Sequence, residues 1–309
     1  MSIVVPVYKN EETLEELNHR IFSVLSENFE SESNFEIIYV VDGSPDNSFQ
    51  VLQSLQLSSK KLSLQVRIIE LSANYGQTAA IIAGIEHSDA LAQIVISADL
   101  QDPPEAITGL IKAWQEGFDI VISTRASRDD TWFEMFTSRV AHTIFRFSQP
   151  EMPKHGFDFF LLSREAAKNL IKLRGKSRFL QGDVLSLGFK RKLVSHERVH
   201  RKHGNSSYNF RSRLKLFIDS LFENSKFPMT AIFALGTLIS VMGIILASLS
   251  IVSYLLGAAP FSGFVAIFSS ILFLGGIQIF LIGLVGQFIF RSFEIARGRP
   301  LYIVRQILQ

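Results

Sequence analysis

The sequence predicts an α/β fold, a mainly parallel sheet with helices on both faces, followed by an apolar two-helix hairpin. Three observations carry that expectation. Strand-like and helix-like segments alternate through residues 1–200. Polar side chains gather just after the strand-like segments. Residues 227–290 contain no charged side chain.

The elements follow in order. Ser2–Val7 is a short apolar strand and Glu12–Leu25 reads as a helix. Phe35–Val41 is a second buried strand, closed by the turn Asp42-Gly43-Ser44-Pro45 and followed by a helix from about Asn47. Val66–Leu71 is a third strand, and Gln77–His87 a helix of small residues. Gln93–Ala98 is a fourth strand. Pro104–Glu116 is a helix with proline in its first turn, where a missing N–H costs little. Asp119–Ser123 is a fifth strand. This alternation implies a parallel sheet sandwiched between helices.

The uncharged stretch is long enough for two bilayer crossings, each of which needs about 20 apolar residues. Leu256-Gly257-Ala258-Ala259-Pro260 and Ser262-Gly263 divide it, giving spans of about 228–255 and 264–290. A buried hairpin in a soluble core is the competing reading, but core helices usually keep a polar face. Arg211, Arg213, Lys215 and Lys226 precede the first span, and Arg291, Arg297, Arg299 and Arg305 follow the second. The positive-inside rule therefore places both flanks, and both termini, in the cytoplasm. Within 211–227, Leu214, Phe217, Ile218, Leu221 and Phe222 share one helical face, as in an interfacial amphipathic helix.

Composition excludes several classes. Lys and Arg number 31 against 29 Asp and Glu, too balanced for a dedicated nucleic-acid binder. Without cysteine there are no disulfides, thiolate metal sites or cysteine nucleophiles. In parallel sheets, ligands bind beyond the carboxyl ends of the strands. Pro6, Tyr8, Asn10 and Glu11 follow strand one here, and Asp42 follows strand two. Asn74 follows strand three, Asp99 and Asp102 strand four, and Arg125 strand five. Asp99, Gln101 and Asp102 form an oxygen-rich group suited to Mg²⁺ or Mn²⁺, which also take diphosphate oxygens and waters. Asp102 is equally well read as the cap of the helix beginning near Pro103.

The run Ala98–Glu105 (ADLQDPPE) resembles the signature of glycosyltransferase family 2 enzymes acting on polyprenyl phosphates, the GtrB-type bacterial enzymes and dolichyl-phosphate mannose synthases. Val4–Glu11 (VVPVYKNE), Asp42–Asp46 (DGSPD), Asn74–Gly84 (NYGQTAAIIAG), Ile122–Arg125, Phe157–Arg164 (FDFFLLSR), Arg201–Tyr208 (RKHGNSSY) and Gly298–Val304 (GRPLYIV) agree with it in order. Arg128–Phe133 is similar to the aminoarabinose-transferring relatives.

The resemblance implies a GT-A (Rossmann-like) catalytic domain over 1–210, a juxtamembrane helix over 211–227, the hairpin over 228–290 and a tail over 291–309. It implies inverting sugar transfer from a nucleotide sugar to a polyprenyl phosphate such as undecaprenyl phosphate, at the bacterial inner membrane. Mg²⁺ or Mn²⁺ is the implied cofactor. A homo-oligomer is also implied, since family members form tetramers through membrane-proximal helices. Pro6, Tyr8, Glu11 and Asp42 would serve the nucleotide, Tyr8 offering a ring face. Asp99 and Gln101 would hold the metal. Arg125, Arg139, Arg201 and Ser206 would meet phosphates, a task suited to the guanidinium fork. Asp158 would orient groups at the reacting phosphate, which as an anion needs little general-base help.

Four positions depart from the family pattern. Val41 replaces an Asp common in relatives, Ser97 the first Asp of the usual DxD, Phe160 an Arg and Ser207 a Lys. They motivate one alternative, a catalytically weak or silent membrane scaffold that binds nucleotide sugar or lipid phosphate. A processive polysaccharide synthase is disfavoured, because neither Trp114 nor Trp132 follows an Arg in a Q-x-x-R-W motif. A transporter is disfavoured because the spans lack intramembrane charge.

Overall fold

The computed structural model describes residues 1–29, 35–59, 64–125, 156–173, 179–196 and 296–309, together with Pro153 and scattered helical positions between 267 and 293. Strands β1 (Ser2–Val7), β2 (Glu36–Val41), β3 (Gln65–Leu71) and β4 (Ala92–Val95) alternate with helices α1 (Leu14–Asn28), α2 (Ser48–Ser59) and α3 (Gln77–Glu86). A 3₁₀ turn (Pro104–Ala106) leads into α4 (Ile107–Gln115) and β5 (Ile120–Arg125). Then come β6 (Phe160–Ser163), α5 (Arg164–Lys172), α6 (Leu180–Ser186), β7 (Arg191–His196) and, near the C-terminus, β8 (Val304–Leu308).

Together the strands form one sheet of order β7-β5-β6-β4-β1-β2-β3-β8. It is mixed. β1, β2, β3 and β4 pair in parallel, as do β5 and β7, whereas β6 runs antiparallel between β4 and β5, and β8 antiparallel along β3. The chain winds outward from β1 to β3 and then returns to place β4 on the other side of β1. That reversal opens a crevice between the carboxyl ends of β1 and β4, where such folds bind ligands.

Strand alternation builds the two faces of the core, because successive Cβ atoms point to opposite sides. Ile3, Val5 and Val7 join Leu14, Leu17 and Ile21 of α1 and Leu110 and Ile111 of α4 on one face. Val4, Ile38 and Val40 join Ala80–Ile85 of α3 and Leu170 of α5 on the other. The small residues of α3 let it approach closely. A Cβ on Gly84 would lie 2.3 Å from Val4 Cγ1. Tyr39, fully buried, donates from its hydroxyl to Asn18 Oδ1 at 3.0 Å, and burial pushes its pKa up.

Several boundaries differ from the sequence reading for visible reasons. Helix α1 begins at Leu14 rather than Glu12, because residues 11–13 form a turn that serves the crevice. Strand β4 ends at Val95. Ile96 still donates to Val4 O at 3.1 Å, and then Leu100 turns through φ 59°. Asp102 is not the helix cap. Pro103 occupies that position, with no side-chain cap bond, and Asp102 is 2 % exposed.

The chain divides into one compact unit of Met1–Asn224 with Pro300–Gln309 and a second of Ser225–Arg299. In the second unit, Ile267, Ile271, Leu274, Ile282, Val285 and Ile289 are helical and exposed. Among the described residues, no helix is long and apolar enough to cross a membrane. The juxtamembrane helix expected over 211–227, the first span and most of the second lie outside the described residues.

Candidate active site at the strand ends

The loops after β1 and β2 are laced together by short polar bonds. Lys9 N–H donates to Ser44 Oγ at 2.8 Å and Asn10 N–H to Ser48 Oγ at 3.2 Å. Glu11 N–H donates to Asp46 Oδ2 at 3.2 Å, and Glu11 Oε2 accepts from Asn47 N–H at 2.8 Å. Asp46 also accepts from the hydroxyls of Ser44 (2.5 Å) and Ser48 (2.9 Å). Burial alone would push the Asp46 pKa up, but these bonds outweigh it and hold the carboxyl below its ordinary value. Glu11 thus braces the start of α2. Tyr8 stands exposed at the crevice mouth, with the Lys9 ammonium 5.5 Å from its ring centroid. Pro6 lies buried within β1, in register with Val40.

Asp42 is 3 % exposed and faces the loop after β3. Its two carboxylate oxygens accept from Tyr75 N–H at 2.7 Å and Gly76 N–H at 2.8 Å. Burial raises its pKa, and the two amides pull the other way without cancelling the rise. Gly43 completes the junction. Its φ of +56° suits glycine, and a Cβ there would sit 2.4 Å from Ala73 C and 2.5 Å from Asn74 N. Asn74 is left exposed at the loop tip.

Thr13 bridges the crevice floor. Its hydroxyl lies 2.6 Å from Ala98 O and 3.1 Å from Asn10 O, tying the β1 loop to the β4 loop instead of capping α1. Beyond Ala98, Asp99 and Gln101 are half-buried while Leu100 between them turns inward. Asp99 Oδ1 accepts from Gln101 N–H at 3.1 Å.

The antiparallel β6 brings Asp158 to this place. Val95 pairs with Phe160 and Ile122 with Phe160, so the residues just before β6 lie between the carboxyl ends of β4 and β5. Asp158 is exposed there, and Gln181 Nε2 donates to its Oδ1 at 3.3 Å. Arg125 ends β5 and pairs with His196. Arg139, Arg201 and Ser206 lie outside the described residues.

Two departures from the family pattern are core positions. Val41 is 2 % exposed and Phe160 fully buried, its ring edge-on to Phe157 at 5.7 Å. A charge at either site would need desolvation and a partner.

Asp99 and Gln101, with the Ser97 hydroxyl between strand β4 and Asp99, would present oxygen atoms to a cation. Among the described residues, no three His, Asp or Glu side chains gather as a metal cage. Such a sparse hard-oxygen set fits Mg²⁺ or Mn²⁺ that keeps waters and shares substrate phosphates.

Sequence reasoning missed the bracing group of Thr13, Ser44, Asp46, Ser48, Tyr75 and Gln181. The S-x-D-x-S spacing after Gly43 was the available signal for part of it.

Comparison with known proteins matches this architecture. The family model described as glycosyl transferase family 2 covers residues 2–171. The chain is 33% identical over 309 residues to an uncharacterized glycosyltransferase of Synechocystis sp., across 99% of this chain and 95% of that protein. It is 31% identical over 313 residues to the undecaprenyl-phosphate 4-deoxy-4-formamido-L-arabinose transferase of Proteus mirabilis, across 100% of this chain and 94% of that one. Among solved structures, glucosyl-3-phosphoglycerate synthase from Mycobacterium tuberculosis in complex with phosphoglyceric acid is similar at a TM-score of 0.51 and 15% identity. That likeness covers 71% of this chain and 78% of that one, and it speaks to the fold. The fold and its strand-end crevice are those of a GT-A glycosyltransferase. The chain belongs to glycosyl transferase family 2.

Proposed function

We propose that this protein transfers a sugar, with inversion, from a nucleotide sugar, read as UDP-linked, to a polyprenyl phosphate such as undecaprenyl phosphate. The product is a lipid-linked sugar for cell-envelope glycan modification. One observation carries the reading. Kinship with an undecaprenyl-phosphate sugar transferase runs along the whole chain, not only along its catalytic domain.

The geometry supports roles for the chain's own residues. Tyr8 offers its ring to the base at the open end of the crevice. Pro6, Glu11 and Asp42 set the crevice wall, Asp42 by holding the 72–76 loop and Glu11 by bracing α2. Asp99 and Gln101 would hold the divalent ion, which supplies positive charge to the leaving diphosphate. Asp158 precedes β6 beside the carboxyl ends of β4 and β5, and is proposed to meet the acceptor phosphate. The lipid phosphate is the nucleophile, and Asp158 orients it. Arg125, Arg139, Arg201 and Ser206 are proposed to neutralise donor and acceptor phosphates.

The membrane reading rests on the uncharged stretch 227–290 and on the exposed apolar row Ile267, Ile271, Leu274, Ile282, Val285 and Ile289. Exposed apolar surface of this kind marks a lipid or protein contact. The proposed arrangement is multi-pass in a bacterial inner membrane, with catalytic domain and termini cytoplasmic and the protein self-associated.

The test is sugar transfer by purified protein in detergent, with undecaprenyl phosphate, a panel of UDP- and GDP-sugars, and Mg²⁺, Mn²⁺ or EDTA. A lipid-linked sugar from a UDP donor, lost in EDTA, is expected. Transfer to a soluble acceptor in preference to the lipid phosphate would overturn the acceptor assignment.

A further inference from the structure

Residues 300–309 read as a tail in sequence, yet they add strand β8 to the free edge of β3. The attachment is extensive. Leu301, Tyr302 and Val304 pack against the core face that carries α3. The Tyr302 hydroxyl donates to Glu86 Oε2, and its ring lies 6.3 Å from that of His87. Arg305 Nη1 lies 3.2 Å from Glu70 Oε1, and Gln306 Nε2 donates to Glu70 Oε2 at 2.6 Å.

Beyond the strand, the attachment reaches the crevice. The ladder shifts register between Glu70 and Leu71, and Ser72 N–H donates to Ile303 O at 2.9 Å. Ser72 Oγ shares a hydrogen bond with the Tyr75 hydroxyl at 2.9 Å. Tyr75 N–H in turn donates to Asp42. The 72–76 loop is therefore held at its start by the C-terminal segment, at its middle by close contact with Gly43, and at its end by Asp42.

We propose that the C-terminal segment 300–309 is a positioning element of the donor site, fixing the 72–76 loop against which the nucleoside diphosphate binds. This rests on the nucleotide-sugar reading above. Covering a sheet edge against unwanted pairing is the simpler role for such a strand. That role would change stability without favouring donor over acceptor. A positioning role moves donor affinity selectively.

The experiment uses the full-length protein in detergent and four variants: Arg305→Glu, Glu70→Arg, the exchange of both charges, and deletion of 300–309. Hydrogen exchange is read at 72–76 and 304–308, UDP affinity by titration, and KM separately for donor and lipid acceptor. Arg305→Glu and the deletion are expected to deprotect both segments. The deletion should raise the UDP Kd and donor KM by roughly tenfold, and Arg305→Glu, which loses an exposed ion pair, by a few-fold, with acceptor KM unchanged. The charge exchange is expected to restore wild-type values. Deprotection of 304–308 with 72–76 still protected and the UDP Kd unchanged would overturn the proposal, as would equal shifts in donor and acceptor KM. Should the deletion not fold, Arg305→Glu with its restoring exchange decides alone. Wild-type protein that neither binds UDP nor transfers sugar would refute the functional reading instead, while loop protection still reports on the mechanical link.

Discussion

Replacing Asp42 by Asn changes one atom in the wall of the crevice, and its cost follows from the contacts. Asp42 is 3 % exposed and accepts from two backbone amides at 2.7 and 2.8 Å. Asparagine keeps one acceptor, but its amide nitrogen must then face a backbone N–H, leaving a buried donor unsatisfied. A stranded group costs about 1–3 kcal/mol, and losing the charged partner removes a bond of about 1.5–3 kcal/mol. The neutral side chain no longer bears the desolvation that raises the Asp42 pKa, which offsets part of this. A net loss of about 2 kcal/mol lowers Tm by roughly 4–8 °C for a domain of this size. Thermal unfolding of the full-length protein in detergent, with amide exchange at Tyr75 and Gly76, is the assay. A Tm within about 1 °C of wild type, with those amides still protected, would refute the claim that Asp42 holds the loop.

Three further outcomes are expected. Gly43→Ala places a methyl 2.4 Å from Ala73 C at a φ of +56°, so the 72–76 loop must shift and UDP affinity should fall, as read by titration. Gly84→Ala drives a methyl to 2.3 Å from Val4 Cγ1. It should cost about 1–3 kcal/mol in denaturant unfolding while leaving the crevice residues unchanged. Acid titration should show opposite signs. Asp46 and Glu105 have lowered pKa values, so their stabilisation is present above the ordinary values of 3.8 and 4.5 and lost as pH falls through the lowered ones. The raised pKa of Asp42 contributes stability below 3.8 that is lost as pH rises through its own higher value. Asp46→Asn should therefore flatten the acid limb, and Asp42→Asn should remove the opposing term.

Much of the fold was legible because local signals and tertiary demands agreed. The apolar runs Ile3–Val7 and Ile37–Val41 are buried strands, as their unbroken hydrophobicity implies for a parallel sheet. The small-residue run after Gly76 becomes the helix that packs tightly on β1 and β2. Strands β6 and β7 were not legible. Phe160–Ser163 is a four-residue antiparallel strand, Arg191–His196 a parallel one with Arg, Lys and His among its residues, and the partners of both are set by a return of the chain that no local pattern encodes. Val304–Leu308 exposes its central residues Arg305, Gln306 and Ile307 between two half-buried ends at an edge, so it reads as polar tail until β3 receives it.

The candidate site divides in the same way. The residue types at the strand ends announced a crevice. What they did not show is which side chains are buried in bracing the loops and which are exposed to solvent. Asp42 is occupied by backbone amides, whereas Tyr8 and Asp158 are exposed. The placement of Asp158 beside β4 depends wholly on the antiparallel insertion of β6.

The central claim is the proposal that Asp99, in the loop after β4, and Asp158, just before β6, form the reaction centre for transfer to a polyprenyl phosphate. It is tested most directly by single-turnover transfer to undecaprenyl phosphate with wild type, Asp99→Asn, Asp158→Asn and the double variant. Rates should fall by about 10²-fold or more in each single variant, and the double loss should be less than the product, as for groups acting as a unit. Wild-type rates in either single variant would contradict the assignment. A wild type that binds UDP tightly yet forms no lipid-linked sugar with any donor would point to the silent scaffold instead.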